Sequence, residues 1–180
     1  MRSDEELRRA RPGVALRMPL FVPAFAVLVV WGLLVLPCVL VAWTVMVVAR
    51  RQPQRLQRFL SAYLRYAGQA SAWFHLLSAA YPHPLHTSVH PFAIALPDEP
   101  SQPRSVTFAR AVLAVPALVL ATVLRVVLTM SAVAAWFAAL ALGRTTAGLQ
   151  ELGTFCLRYE LEVEAYLLLL TSRYPRLAPG

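Results

Sequence analysis

An internal repeat constrains the fold of this chain more than any other feature. Residues 149–175, LQELGTFCLRYELEVEAYLLLLTSRYP, repeat residues 56–82, LQRFLSAYLRYAGQASAWFHLLSAAYP, at a displacement of 93 positions without a gap, and ten of the 27 positions are identical. Such self-similarity indicates two structurally related units. The correspondence extends upstream, where Arg17, Leu20, Pro23, Val30, Ala42, Trp43 and Arg51 recur as Arg110, Leu113, Pro116, Val123, Ala135, Trp136 and Arg144.

Each unit begins with a long apolar segment. Residues 18–49 contain no charged residue, and residues 105–143 contain only Arg110 and Arg125. A membrane-spanning helix needs about 20 apolar residues. The chain as a whole is 58% hydrophobic, with a mean hydropathy of +0.58, whereas soluble domains are typically ~45–50% apolar. These features predict a membrane protein.

An amphipathic pattern follows each apolar segment, over residues 54–81 and 147–174. Apolar residues recur there at helical spacing, with polar residues on the other side. Glu160 and Glu164 are exceptions, because they fall on the otherwise apolar side of the second helix. Charges of this density oppose insertion across a bilayer, at ~2.5–3.5 kcal/mol each at its centre. We therefore expect these helices to lie in the membrane interface.

The predicted fold class is an all-α membrane protein of two tandem repeats. Each repeat is a long hydrophobic helix or hairpin followed by an amphipathic interfacial helix. Unit 1 covers residues 17–82 and unit 2 covers residues 105–175. A charged N-terminal segment (1–16) precedes them, a proline-rich linker (83–104) joins them, and a short tail (176–180) follows.

Three topologies are compatible with this order of segments. In the first, each apolar segment crosses the membrane once and the repeats are inverted. In the second, all four helices cross. In the third, each apolar segment enters and leaves on one face as a wedge. The wedge would turn near Gly32–Pro37 and around Arg125. Arg65, Arg158 and the glutamates make four crossings costly. The single crossing and the wedge both remain open.

The charge pattern indicates where the protein resides. All 17 basic residues are arginine and the net charge is +8, a bias typical of a GC-rich bacterial genome. The arginines flank the apolar segments, which predicts contact with anionic lipid head groups rather than nucleic acid. Cys38 and Cys156 lie in apolar contexts and predict no disulfide. The expected location is the bacterial cytoplasmic membrane, with the lipid bilayer as partner and other membrane proteins or a second copy as further candidates.

The repeat motif resembles a bacterial membrane-protein family that is catalogued as a domain of unknown function. The first unit shows the motif as Leu56, Phe59, Leu64-Arg65-Tyr66, Trp73, Leu76-Leu77 and Tyr81-Pro82, and the second as Leu149, Leu157-Arg158-Tyr159, Tyr166 and Leu169-Leu170-Thr171-Ser172-Arg173-Tyr174-Pro175. Departures from the family pattern are His83-Pro84, Arg176-Leu177 and Leu152. The resemblance implies membership and no activity.

Two sets of residues are candidate functional positions. The repeat motif singles out Arg65, Tyr66, Tyr81, Pro82, Arg158, Tyr159, Tyr174 and Pro175. A polar stripe on the amphipathic helices could form ion pairs between the two units, although the simpler interpretation is that each stripe faces water. The stripe residues are Arg58, Arg65, Glu151, Arg158 and Glu162.

The sequence predicts no enzyme, cofactor or metal. His83, His86 and His90 have spacings that a metal could use, but Pro84 and Pro91 interrupt any helix that would align them. We expect a non-enzymatic scaffold, accessory subunit or membrane-organising protein. The alternative is a small transport or ion-conducting subunit whose polar route uses Arg125, Arg158 and Glu162.

Overall fold

The computed structural model describes residues 17–49, 53–78, 80–83, 104–143 and 145–177. Regular secondary structure in these ranges is entirely α-helical. Each unit contributes one long and one short helix, which confirms the predicted all-α fold of two tandem repeats. The helices are α1 (Arg17–Ala49), α2 (Gln54–Phe74), α3 (Arg104–Leu142) and α4 (Ala147–Leu167).

The long helices α1 and α3 are continuous, so the hairpin alternative is wrong. Helix α1 runs through Gly32–Pro37 and α3 runs through Arg125, where the wedge would have turned. A single proline removes one backbone hydrogen bond and crowds one turn. The surrounding leucine, valine and alanine residues keep the remaining bonds, so Pro23, Pro37 and Pro116 all lie inside helices.

The short helices end seven residues earlier than predicted, at Phe74 and Leu167. Two residues later, Leu76 and Leu169 adopt left-handed φ values of 62° and 59°. The amide of the leucine after each of them donates to the carbonyl five residues earlier, at 2.8 and 2.9 Å. This is the Schellman motif that terminates many helices. The double leucine in each unit is therefore a helix stop.

The four helices form a ring in which α1 contacts α2 and α3, and α4 contacts α2 and α3. Long and short helices of one unit run antiparallel, since Trp31 of α1 stacks on Tyr66 of α2 at 5.8 Å and Phe21 meets Phe74 at 4.2 Å. The short helices are also antiparallel, because Leu76 at the end of α2 shares a hydrophobic cluster with Leu149 at the start of α4.

A pseudo-twofold axis perpendicular to α2 and α4 therefore relates the two units. At one end of the bundle the indole nitrogen of Trp43 donates to the carbonyl of Leu167 at 3.4 Å. At the other end the equivalent Trp136 packs into the cluster around Leu76. Each long helix thus reaches past its own short helix to the C-terminal end of the other unit's short helix.

The largest core cluster lies where the four helices meet. Its fully buried members include Leu60 and Leu64 of α2, Leu128 of α3 and Leu157 of α4. Burying a leucine side chain stabilises a fold by about 1.5–3 kcal/mol. Both units supply residues to this one core, so neither unit has a separate core here.

The outward faces of α1 and α3 are apolar and exposed. Leu40 is 70% exposed on α1, and Val112 and Phe137 are 73% and 70% exposed on α3. Both helices contain a stretch that is long and apolar enough to cross a membrane, at Pro19–Val48 and Val112–Ala141. Only 11% and 17% of their most apolar windows are buried, unlike the core helices of a soluble protein.

Candidate functional site

A buried arginine at the start of α1 caps the end of α2. The guanidinium of Arg17 lies 5.1 Å from the ring centroid of Trp73. It donates to the carbonyl of Trp73 and, at 3.1 Å, to that of Ser78. Carbonyls at a helix C-terminus lack intrahelical partners and carry partial negative charge, so a cation there is stabilising.

The same arrangement recurs in the second unit. Arg110, equivalent to Arg17, is 1% exposed and lies 4.7 Å from the ring centroid of Tyr166. It donates to the carbonyl of Tyr166 at 3.4 Å. Tyr166 is the equivalent of Trp73, so the aromatic position of the repeat motif is the support for a capping arginine.

The Tyr-Pro pair that closes each unit packs against this aromatic residue. Tyr81 meets Trp73 edge to face at 5.1 Å, and Tyr174 meets Tyr166 in the same way at 5.8 Å. Pro82 and Pro175 are buried. The hydroxyl of Tyr81 also donates to the carbonyl of Leu20 at 3.3 Å.

The tyrosine that follows the motif arginine is a core residue. Tyr66 is 2% exposed, and its hydroxyl donates to the carbonyl of Ala24 at 3.4 Å. The equivalent Tyr159 is also 2% exposed and packs against Ala117, the equivalent of Ala24. Tyr66, Tyr81 and Tyr159 of the repeat motif therefore hold each long helix to the short-helix part of its own unit.

A cluster of three charges joins α3 to α4. Nε of Arg125 lies 2.8 Å from Oε1 of Glu160, and its Nη2 lies 3.6 Å from Oε1 of Glu164. The side chain of Glu160 is 8% exposed and that of Arg125 is 63% exposed. Glu160 and Glu164 are one turn apart, so they face the same way and can share one arginine.

The second glutamate of this cluster has a shifted pKa. Burial raises the pKa of Glu164 to about 7, with Arg125 opposing the shift and Glu160 adding to it. About a third of its side chain is still exposed, at 36%. Burial also lowers the pKa of His75, the residue after the end of α2, and raises the pKa of Tyr63 on α2. Glu164 is thus a carboxyl that can hold a proton near neutral pH.

The predicted polar stripe does not form one cluster. Arg158 and Glu162 are brought together within α4, with Nε and Oε1 3.6 Å apart. Glu162 also accepts from the amide of Arg176 at 3.0 Å. The structure does not bring Arg58 or Arg65 to Glu151 or Glu162. Arg58 and Glu151 are exposed and Arg65 is half-buried.

Of the three linker histidines, His83 is the one in the described part of the chain. His86 and His90 lie outside the described residues, and His83 is exposed. Within the described ranges, no group of three or more histidine, cysteine, aspartate or glutamate residues could hold a metal ion.

Sequence reasoning missed the capping role of Arg17 and Arg110 and the pairing of Arg125 with Glu160. A signal existed for each. The two capping arginines recur at the repeat displacement, next to an otherwise apolar segment. Arg125 was a charge inside an apolar segment, and Glu160 was a charge on an apolar side. Two such anomalies are best explained if they meet, since an unpaired buried charge is costly.

A comparison with known families finds a match in both units. The family described as Domain of unknown function (DUF4389) matches residues 11–86 and again residues 104–177, which together cover most of the chain. No curated protein and no solved structure matches the chain.

Proposed function

Because the chain belongs to the DUF4389 family, whose description assigns no activity, we propose a role from the geometry alone. The protein is a non-enzymatic membrane component that acts as a scaffold, an accessory subunit or an organiser of the bilayer. Its proposed location is the bacterial cytoplasmic membrane, and its proposed first partner is lipid.

The outward faces of the long helices carry this proposal. Within the described helices, the large hydrophobic side chains that are exposed lie on α1 and α3, apart from Leu152 on α4. A monomeric soluble protein rarely exposes a continuous apolar surface of more than a few hundred Å². Lipid acyl chains would cover such a surface without any specific contact.

The contacts of the charged residues between helices support a structural rather than a catalytic role. Arg17 and Arg110 cap helices, and Arg125 forms ion pairs with Glu160 and Glu164. Each of these contacts holds one helix to another within a unit. A catalytic site needs a nucleophile or base held near a space for the substrate. The groove lined by Trp31 and Phe59 is wholly apolar and offers neither.

A matched pair of variants tests membrane residence. Leu40→Asp places a charge on the apolar face of α1, and Leu152→Asp makes the same change on α4, where Glu151 is already exposed. After reconstitution into phosphatidylethanolamine–phosphatidylglycerol vesicles, the unaltered protein and Leu152→Asp should float with the lipid and resist carbonate extraction. Leu40→Asp should lose much of this retention. Equal retention of both variants would contradict the proposal.

The transport alternative is tested in the same vesicles. Arg125 pairs with Glu160 and Glu164, whereas Arg158 pairs with Glu162, so these residues form two clusters rather than one polar route. An enclosed pH-sensitive dye should therefore report the same proton leak with and without the protein. A leak that requires the protein and is abolished by Arg125→Gln would favour transport instead.

A further inference from the structure

We propose that the bundle lies flat in one leaflet of the membrane, with α1 and α3 among the acyl chains and α2 and α4 towards water. This inference rests on the proposed membrane role and adds an orientation to it. The pseudo-twofold axis would then run along the membrane normal, and both ends of the bundle would lie at the same depth.

The distribution of exposed side chains separates the bundle into two layers. Helices α1 and α3 are neighbours in the ring, as are α2 and α4. The first pair exposes apolar residues, and the second exposes Arg55, Arg58 and Glu151, with Arg158 and Glu162 half-exposed. If the bundle stood upright, acyl chains would surround both layers. Each charge near mid-bilayer would then cost ~2.5–3.5 kcal/mol or more.

The connection between the units points the same way. Helix α2 ends beside Arg17, whereas α3 begins at the opposite end of the bundle, where Arg110 meets Tyr166. An upright bundle would require residues 84–103 to cross the bilayer between these ends. This segment contains five prolines together with Asp98 and Glu99. Prolines lack the backbone donor that a membrane-spanning helix needs, and each carboxylate is costly in the hydrocarbon core, so this composition opposes a crossing. A flat bundle requires no crossing.

The position of Arg125 also disfavours an upright bundle. It lies near the middle of the apolar stretch Val112–Ala141, about 20 Å from one end and about 24 Å from the other at a rise of 1.5 Å per residue. An upright α3 would hold this 63% exposed side chain close to the centre of the bilayer. In a flat helix, depth depends on the side of the helix and not on position along it. Arg125 is then not forced to the bilayer centre.

Insertion from one side has a mechanical consequence. Two apolar helices of 33 and 39 residues would occupy area in one leaflet only, while the opposite leaflet gains nothing. Helices that insert into one leaflet bind more strongly to curved membranes. Their binding must therefore also favour curvature of the membrane. The ligand that α1 and α3 would bind is the acyl-chain region of a single leaflet.

Depth measurements along α1 test this orientation. Val22, Leu33 and Leu40 are 65%, 64% and 70% exposed, and spacings of 11 and 7 residues put them on one side of the helix. Each is replaced by a spin-labelled cysteine in a Cys38→Ala, Cys156→Ala background, in the vesicles described above. The equivalent positions on α3 are Val115, Val126 and Val133, which are 59%, 59% and 48% exposed.

A flat bundle predicts the same depth for the three labels on each helix, from collision rates with oxygen and with a water-soluble nickel complex. It also predicts that Arg58→Cys and Glu151→Cys, at opposite ends of the polar layer, react with an impermeant maleimide from the same side. An upright bundle would place Leu33 about 16 Å deeper than Val22, and that result would overturn the inference while leaving the membrane role intact. Labels that all report water would overturn both.

Discussion

Nε of Arg125 lies 2.8 Å from Oε1 of Glu160, and each of these residues interrupts an otherwise apolar side of its helix. Arg125 is the one charged residue in the stretch 112–141, and Glu160 is buried at 6% exposure. Their contact joins the middle of α3 to the middle of α4. Because Glu160 is buried, its charge-assisted hydrogen bond to Arg125 is strong and its carboxylate is costly without that partner.

Removing one partner of this pair should therefore destabilise the protein more than removing both. We expect Arg125→Leu to lower the free energy of unfolding by about 1–3 kcal/mol, because it leaves Glu160 buried without its cation. The double variant Arg125→Leu, Glu160→Leu should recover much of this loss. Denaturant unfolding in micelles measures the stability of Arg125→Leu, of Glu160→Leu and of the double variant. The substitution of the exposed Arg58, Arg58→Leu, is the control. Additive effects of the two single substitutions would show that the pair is not coupled.

The capping arginines should act locally and alike. Arg17→Ala should speed amide hydrogen exchange at residues 76–78, and Arg110→Ala should do so at residues 169–171, because the carbonyls of Trp73 and Tyr166 lose a cationic donor. Each substitution should cost about 1–3 kcal/mol of stability. Exchange that increases evenly over the chain in either variant would contradict a local capping role.

The left-handed leucines predict an unusual order of stabilities. Leu76 is 1% exposed at a φ of 62°. Replacing it by alanine or by glycine removes a buried side chain, which costs about 2–5 kcal/mol of stability for Leu→Ala. Glycine relieves the left-handed strain of about 1 kcal/mol, whereas alanine keeps it. The Leu76→Gly variant should therefore unfold at a higher temperature than Leu76→Ala. The same order should hold at Leu169, and the reverse order would show that the turn is not strained.

Glu164 predicts a pH dependence of stability. Its pKa in the folded protein is about 7, above the ordinary value of 4.5, so the folded state binds the proton more tightly than the unfolded state. The stabilisation is complete below pH 4.5 and is lost as pH rises through about 7. Glu164→Gln should remove this fall, raising stability at pH 8 by on the order of 1 kcal/mol after allowing for solvent screening. The groups facing Glu164 are Arg125, Glu160 and Tyr63.

A control for this experiment is available on the same helix. Glu151 is exposed, so Glu151→Gln should leave the slope of unfolding temperature against pH between 4.5 and 8 unchanged. If both variants flatten the slope equally, the effect is one of net charge and not of Glu164.

Two glycines of α4 report on the contact between the short helices. A methyl group at Gly153 would meet Cδ2 of Leu77 at 2.8 Å, whereas one at Gly148 would meet nothing within 4 Å. We expect Gly153→Ala to destabilise the protein by about 1–3 kcal/mol. Gly148→Ala should stabilise it by about 0.5–1 kcal/mol, since alanine favours helix. Thermal unfolding of both proteins measures this, and a neutral Gly153→Ala would mean that α2 and α4 pack loosely.

The repeat and the apolar periodicity were enough to predict four helices, their order and where the short helices begin. The same pattern could not predict their ends. Leu76 and Leu169 are hydrophobic residues that continue the helical period, and their left-handed φ depends on buried contacts with other helices. Leucine is not a usual signal for a helix stop, so local sequence gave no warning.

The sequence marked Arg125 and Glu160 as anomalous charges but did not show which side chain each one meets, for a related reason. Helical periodicity places Glu160 on the apolar side of α4 but does not say which helix faces that side. The packing of α4 against α3 of the same unit brings Arg125 there. The stripe of Arg58 and Glu151 shows the converse, because equivalent positions related by the twofold axis need not touch each other.

The twofold relation between the units has a consequence for how such a chain arises. One unit alone lacks half of the common core, so a half-length ancestor would have had to assemble as a homodimer, with each subunit completing the other. Every side chain in that ancestor would occur twice, once on each side of the axis. Joining the two copies by gene fusion removes this restriction: Arg125 faces Glu160 in the second half, while the equivalent position in the first half is Gly32. The fused chain can therefore keep one ion pair where a symmetric assembly would need two.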